Sequence, residues 1–137
     1  ISPWADVKMD VHDIPFEENS FDVVICNHVL EHVDDSNKVM REFYRVMRTG
    51  GWGIFQVPID NNNPNTIEDK SVTEPKDRER LYWQSDHLRL FGRDYGDRLS
   101  KAGFKVTESD YINELDPKLV ERYALPKNEK VYFCEKI

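Results

Sequence analysis

At 137 residues the chain has the length of one domain, enough for one sizeable core and not for two. Hydrophobic residues make up 39% and charged residues 33%, the balance of a soluble globular chain, and the formal net charge of −7 argues against a nucleic-acid backbone as main partner, because phosphate calls for a basic face. No apolar run approaches the roughly 20 residues of a membrane-spanning helix, so no membrane role is expected.

Residues 7–10, Val-Lys-Met-Asp, suit a short strand ending in a carboxylate. A polar connection with a Pro follows, "HDIPFEENS". Phe21–Asn27 then carries Val23, Val24, Ile25 and Cys26 in succession. An unalternated, β-branched run of this kind predicts a strand covered on both faces, as in a parallel sheet. Asp34, Asp35 and Ser36 supply N-cap chemistry. Val39, Met40, Phe43, Val46 and Met47 then recur at helical spacing, and Gly50-Gly51 is expected to stop the helix. Residues 52–58, "WGIFQVP", read as the next strand, completing a βαβ unit with a right-handed crossover.

Residues 60–76 are polar, with three consecutive Asn and two Pro, and predict a long loop of the kind that is often functional. "DRERLYWQ" suits a short helix, and "DHLRLFG" is ambiguous. Tyr95, Leu99 and Ala102 place a helix before Gly103. "FKVTESDYI" alternates like a half-exposed strand, Asp116-Pro117 opens a short helix, and "KVYFCEKI" closes as a strand. The last two strands are expected to pair antiparallel at one sheet edge. Cys26 and Cys134 sit inside apolar runs and read as small buried hydrophobes, compatible with a reducing, cytoplasmic location. The chain begins with Ile1 rather than a methionine, so an upstream segment missing from it remains open.

One motif invites two readings. His28, Glu31 and His32 spell H-x-x-E-H, a spacing used by zinc hydrolases. That reading requires both His on one face of a helix and a third ligand from elsewhere. Capping begins only near Asp34, which puts "HVLEHV" in a strand-to-helix turn, and no downstream acid stands out as the third ligand. We therefore expect no metal. A structural reading treats both His as turn residues hydrogen-bonded to backbone.

The stretch from Val7 to Pro58 adds a third reading. An acid, a "D-x-P-F" turn, "N-S-F-D" opening a buried strand, "L-E-H-V" and a helix ending in "R-V-M-R-T-G-G" follow one another. This order resembles the class I S-adenosylmethionine-dependent methyltransferases, in their small-molecule branch. Beyond residue 95 the likeness is one of topology only. Thr49 stands where the family usually has Pro. The resemblance implies an α/β, Rossmann-like sheet, mostly parallel with an antiparallel terminal strand pair, in a single partial domain over residues 1–137. It further implies S-adenosylmethionine as cofactor. Asp10 matches the acid that approaches the adenine amino group, and the backbone N–H of Val11 would face an adenine ring nitrogen. Asn27 and His28 match the position after the fourth strand, where ligands of open α/β sheets bind. There Asn27 would meet the methionine portion and His28 the methyl group. Met9, Ile14 and Phe16 read as packing residues.

The family's Gly-rich turn has no counterpart: the glycines stand at 50, 51, 53, 92, 96 and 103, with no G-x-G turn after a first strand. The sequence therefore resembles the C-terminal part of such an enzyme, with the N-terminal strands absent, and the isolated chain is expected to be inactive. Methyl transfer needs an oriented acceptor and, for some acceptors, a base. The candidate bases are His28, His32 and His87, since an unperturbed imidazole titrates near pH ~6.5. Asp86 would orient His87, Arg89 would hold an anionic acceptor, and Tyr82, Trp83 and Tyr95 would wall a pocket; the alternative is an exposed His87 in surface ion pairs with the aromatics in the core. The expected partner is a small-molecule methyl acceptor, with self-association through an unpaired edge at Phe21–Asn27. The competing readings are a non-catalytic fragment or degenerate binding module, and a zinc hydrolase.

Overall fold

The computed structural model describes residues 5–126 and 128–137. Four strands form one mixed sheet in the order β1-β2-β4-β3, with β1 Phe21–Asn27, β2 Met47–Gln56, β3 Lys105–Ser109 and β4 Val131–Glu135. β1 and β2 run parallel, while β4 is antiparallel to both β2 and β3. The terminal strand pair thus closes one edge, and β1 forms the other. The helices are α1 Ser36–Val46, α2 Pro75–Tyr82, α3 Tyr95–Lys101 and α4 Pro117–Arg122.

Helix α1 starts where its cap residues stand, with the Asp35 carboxylate accepting from the Lys38 N–H at 2.9 Å. Its stripe of Val39, Met40, Phe43 and Val46 is buried against the sheet, and Phe43 stacks on Phe55 of β2 at 5.2 Å. The helix ends at Val46 rather than at Gly50-Gly51, because Met47 is already extended and fully buried as the first residue of β2. Tyr95 and Leu99 of α3 pack on the same face, and the Tyr95 hydroxyl donates to the Phe55 carbonyl at 3.2 Å.

The expectation that Phe21–Asn27 is covered on both faces is corrected. Val24 and Cys26 pack on the core side with Gly53, Phe55 and Cys134 in register across the sheet. Val23 and Ile25, on the other face, are exposed, Ile25 by 60%. The described helices α1 and α3 cover one face only, which leaves the outward β-branched residues bare. Cys26 and Cys134 are free thiols whose burial pushes both up to about 12.

Residues 7–10 form no strand; Asp10 makes only an isolated bridge to Asp13. The segment is instead clamped to α1. The Glu42 carboxylate accepts from the Ile14 N–H at 3.0 Å, and Arg45 donates to the Ile14 and Phe16 carbonyls, both at 2.8 Å. That clamp fixes the approach of Val11 to β1. The loop of residues 60–74 is ordered by Asp94, which accepts from the Thr66 N–H and hydroxyl, both at 2.7 Å, and by Ile67 pairing with Leu90. No described helix is long and apolar enough to cross a membrane.

Candidate functional site

The C-terminal end of β1 is where the sequence places most of its chemistry. Asn27 ends the strand, and His28 follows with φ 55, its N–H donating to the Gln56 carbonyl at 2.9 Å. Asn, Asp and His enter this left-handed region more readily than most residues. The kink turns the chain away from the sheet and into the turn that carries Glu31 and His32. No helix joins His28 to His32, so the shared helical face required by a zinc hydrolase is not formed.

Beside β1 lies an apolar groove of about 500 Å³, lined among others by Met9, Val11, Phe16, Val24 and Asn27. Val11 and Asn27, far apart in sequence, therefore face one space. Ile14 is buried as a packing residue, whereas Met9 and Phe16 remain more than a third exposed on the groove wall. Asp10 stands next to it with a carboxylate 69% exposed. Its Oδ1 accepts from the His12 N–H at 2.9 Å and meets the His12 ring Nδ1 at 2.7 Å. The His12 N–H and then the His12 ring hold this carboxyl below the ordinary aspartate value.

The His87 stretch departs from expectation. His87 is 1% exposed rather than set on an open acceptor side, and its Nδ1 lies 2.8 Å from the Tyr82 carbonyl. Asp86 approaches His32 at 3.4 Å, rather than His87. Arg89, read as a holder of an anionic acceptor, is buried. It donates to the carbonyls of Leu30 and Val33, both at 2.6 Å, of Asp34 at 3.1 Å, and to Glu68 at 2.8 Å. Tyr82 and Tyr95 are core residues; Trp83 is half exposed.

The reason is steric and electrostatic at once. The segment after α2 folds back against the turn after β1, with the Leu88 N–H donating to the Glu31 carbonyl at 2.8 Å. This docking brings the His87 ring edge-on to His32 at 4.8 Å between centroids. Glu31, in the same place, has a side chain 2% exposed, and neither carboxylate oxygen accepts a hydrogen bond. The burial of Glu31 and its meeting with His87 escape sequence reasoning; H-x-x-E-H flagged the turn, but nothing local to it points to residue 87.

A family model described as "Methyltransferase domain" matches residues 3–55. The sterol 24-C-methyltransferase of Schizosaccharomyces pombe is 30% identical over 125 residues, covering 87% of this chain and 31% of that protein. The ubiquinone biosynthesis O-methyltransferase of Bordetella avium is 35% identical over 69 residues, covering 46% of this chain and 28% of that protein. The chain thus spans under a third of the length of these relatives. The fold is shared with the 1,6-didemethyltoxoflavin-N1-methyltransferase of Burkholderia thailandensis, at TM-score 0.60 and 14% identity over 95% of this chain and 49% of that one. On matched model, relatives and fold together, the chain is similar to the class I S-adenosylmethionine-dependent methyltransferases and shares their fold.

Proposed function

We propose that the protein carrying this chain transfers a methyl group from S-adenosylmethionine to a small-molecule acceptor. The observation that carries this reading is the shared groove: Val11 and Asn27, taken from separate parts of the sequence, line one space that runs along β1 and reaches its C-terminal end. The groove is apolar enough for an adenine ring, and Asp10 with the Val11 N–H offers an acceptor and a donor for its edge. The relatives support a small acceptor, being a sterol methyltransferase and a ubiquinone-biosynthesis methyltransferase.

The bound cofactor would supply a methyl group activated by a positively charged sulfur. The chain's own part is to hold and orient. Asp10 and Val11 fix the adenine end, and Asn27 with the kink at His28 fixes the methionine end. His28, whose side chain is 59% exposed, is the group we assign to take up an acceptor proton. His87 is too deeply buried to meet an acceptor directly. The one glycine cluster, Gly50, Gly51 and Gly53, lies within β2 and not in a turn after a first strand, so the chain taken alone is expected to be inactive.

Calorimetric titration of the protein with S-adenosylmethionine tests the assignment. Asp10→Ala is expected to weaken binding about tenfold or more, the scale of one charged hydrogen bond. Unchanged affinity would remove Asp10 from the site, and absence of binding by the unaltered protein would refute the proposal.

A further inference from the structure

We propose that Glu31, His32 and His87 form a binding site for a divalent transition-metal cation of the zinc class. This departs from the expectation of no metal, and it does not rest on the methyl-transfer reading. The ligand atoms of the three side chains lie within 4.8 Å of one another, and two of the residues are buried.

The hydrogen-bond pattern fixes which atoms face the shared space. Nδ1 of His87 lies 2.8 Å from the Tyr82 carbonyl, and a carbonyl only accepts, so Nδ1 carries a proton and Nε2 is the nitrogen that a cation could take. Nδ1 of His32 lies 3.3 Å from the Asp86 carbonyl and 3.4 Å from the Asp86 carboxylate, so Nδ1 likewise carries a proton and Nε2 is the nitrogen open to a cation. Nε2 of His32 is then turned toward Glu31, 4.0 Å from Oε1. Nδ1 of His28 is 3.3 Å from that oxygen but makes no hydrogen bond to it. With both rings neutral, a carboxylate and two imidazoles converge where neither Glu31 oxygen accepts a hydrogen bond and only His28 stands within ion-pair distance besides His32.

A buried carboxylate that accepts no hydrogen bond is costly, and Arg89 does not relieve it, since the hydrogen bonds of its guanidinium go to three carbonyls and Glu68. One cation would satisfy all three groups. Two neutral imidazoles and a carboxylate are a ligand set suited to Zn²⁺ or Fe²⁺. The Tyr82 carbonyl and Asp86 already hold the two rings from behind, the orienting role that metal-bound histidines ordinarily require. Bonds of about 2.1 Å would draw the ligand atoms together by about 1 Å.

The test is titration of chelator-treated protein with Co²⁺, followed by its visible absorption, and with Zn²⁺ by calorimetry. One equivalent is expected to bind, with a ligand-field band in the cobalt form. His32→Asn, at a partly exposed position, and Glu31→Gln should each weaken binding at least about tenfold, with circular dichroism confirming the fold. His12→Asn should leave it unchanged, separating the site from surface chelation at Asp10. The proposal is overturned by no binding, or by binding lost only in His12→Asn. It is equally overturned if protein saturated with Zn²⁺ keeps an infrared carboxylic-acid band that disappears in Glu31→Gln, which would mean that a proton sits where the cation is placed.

Discussion

Arg89→Met retains an unbranched stem and deletes the guanidinium that ties the turn after β1 to the rest of the fold. Four hydrogen bonds disappear, three to main-chain carbonyls between Leu30 and Asp34 and one to Glu68. At about 1.5–3 kcal/mol for each charged hydrogen bond, a plain sum would exceed 6 kcal/mol. That sum overstates the loss. Glu68 is 28% exposed and regains water, and the freed carbonyls can relax toward solvent as the turn loosens. Removing one partner from a buried ionic contact typically costs about 3–5 kcal/mol, and we expect that range. An unfolding entropy of about 2.1 cal/mol/K per residue turns it into a fall in Tm of roughly 10–17 °C. Urea and thermal unfolding followed by circular dichroism measure both. A loss under about 1 kcal/mol would show that the guanidinium is not holding the turn. Arg89→Lys should recover little, because one ammonium cannot reach all four acceptors in the fixed fork geometry.

Three further outcomes are expected. Ile25→Lys places a charge on the bare face of the edge strand, where the side chain is 60% exposed; self-association in sedimentation should fall while stability shifts by less than about 0.5 kcal/mol, and an unchanged sedimentation profile would exonerate the edge. Gly103→Ala puts a Cβ at φ +118 and 2.8 Å from the Tyr44 ring, for an expected loss of about 1–3 kcal/mol; an unaltered urea midpoint would contradict the strain. Asp94 gives an acid limb to the stability curve. Burial alone would raise its carboxyl, but Arg98 and the Thr66 hydroxyl and N–H outweigh burial and hold it below the ordinary aspartate value. Its stabilisation is therefore full above that value and lost as pH falls through the lower folded one. Asp94→Asn should flatten stability across that window, and an unchanged acid limb would assign the limb to other carboxylates.

The sequence by itself determined the parts of this protein whose cause is local. The Asp35 cap, the apolar stripe of α1, the paired terminal strands and the placing of "HVLEHV" in a turn all follow from periodicity and capping within a few residues. The likeness to a methyltransferase was legible for the same reason, being carried by a continuous stretch. Even so, the helix stop depended on more than Gly50-Gly51: Met47 leaves the helix early because its side chain is taken into the core as β2 begins. Val23 and Ile25 looked like a doubly covered strand, since β-branched composition reports a preference for extended backbone and cannot say how many faces receive a helix. Only the tertiary structure decided the surroundings of His87 and Arg89. Their exposed, ionic appearance in sequence is reversed by the docking of one loop on another, which buries both and directs the Arg89 guanidinium to distant main-chain carbonyls. Glu31 shows the same division most sharply. Its place after β1 is local, but its burial beside two imidazoles arises from a contact between segments far apart in the chain, and no pattern within either segment encodes it.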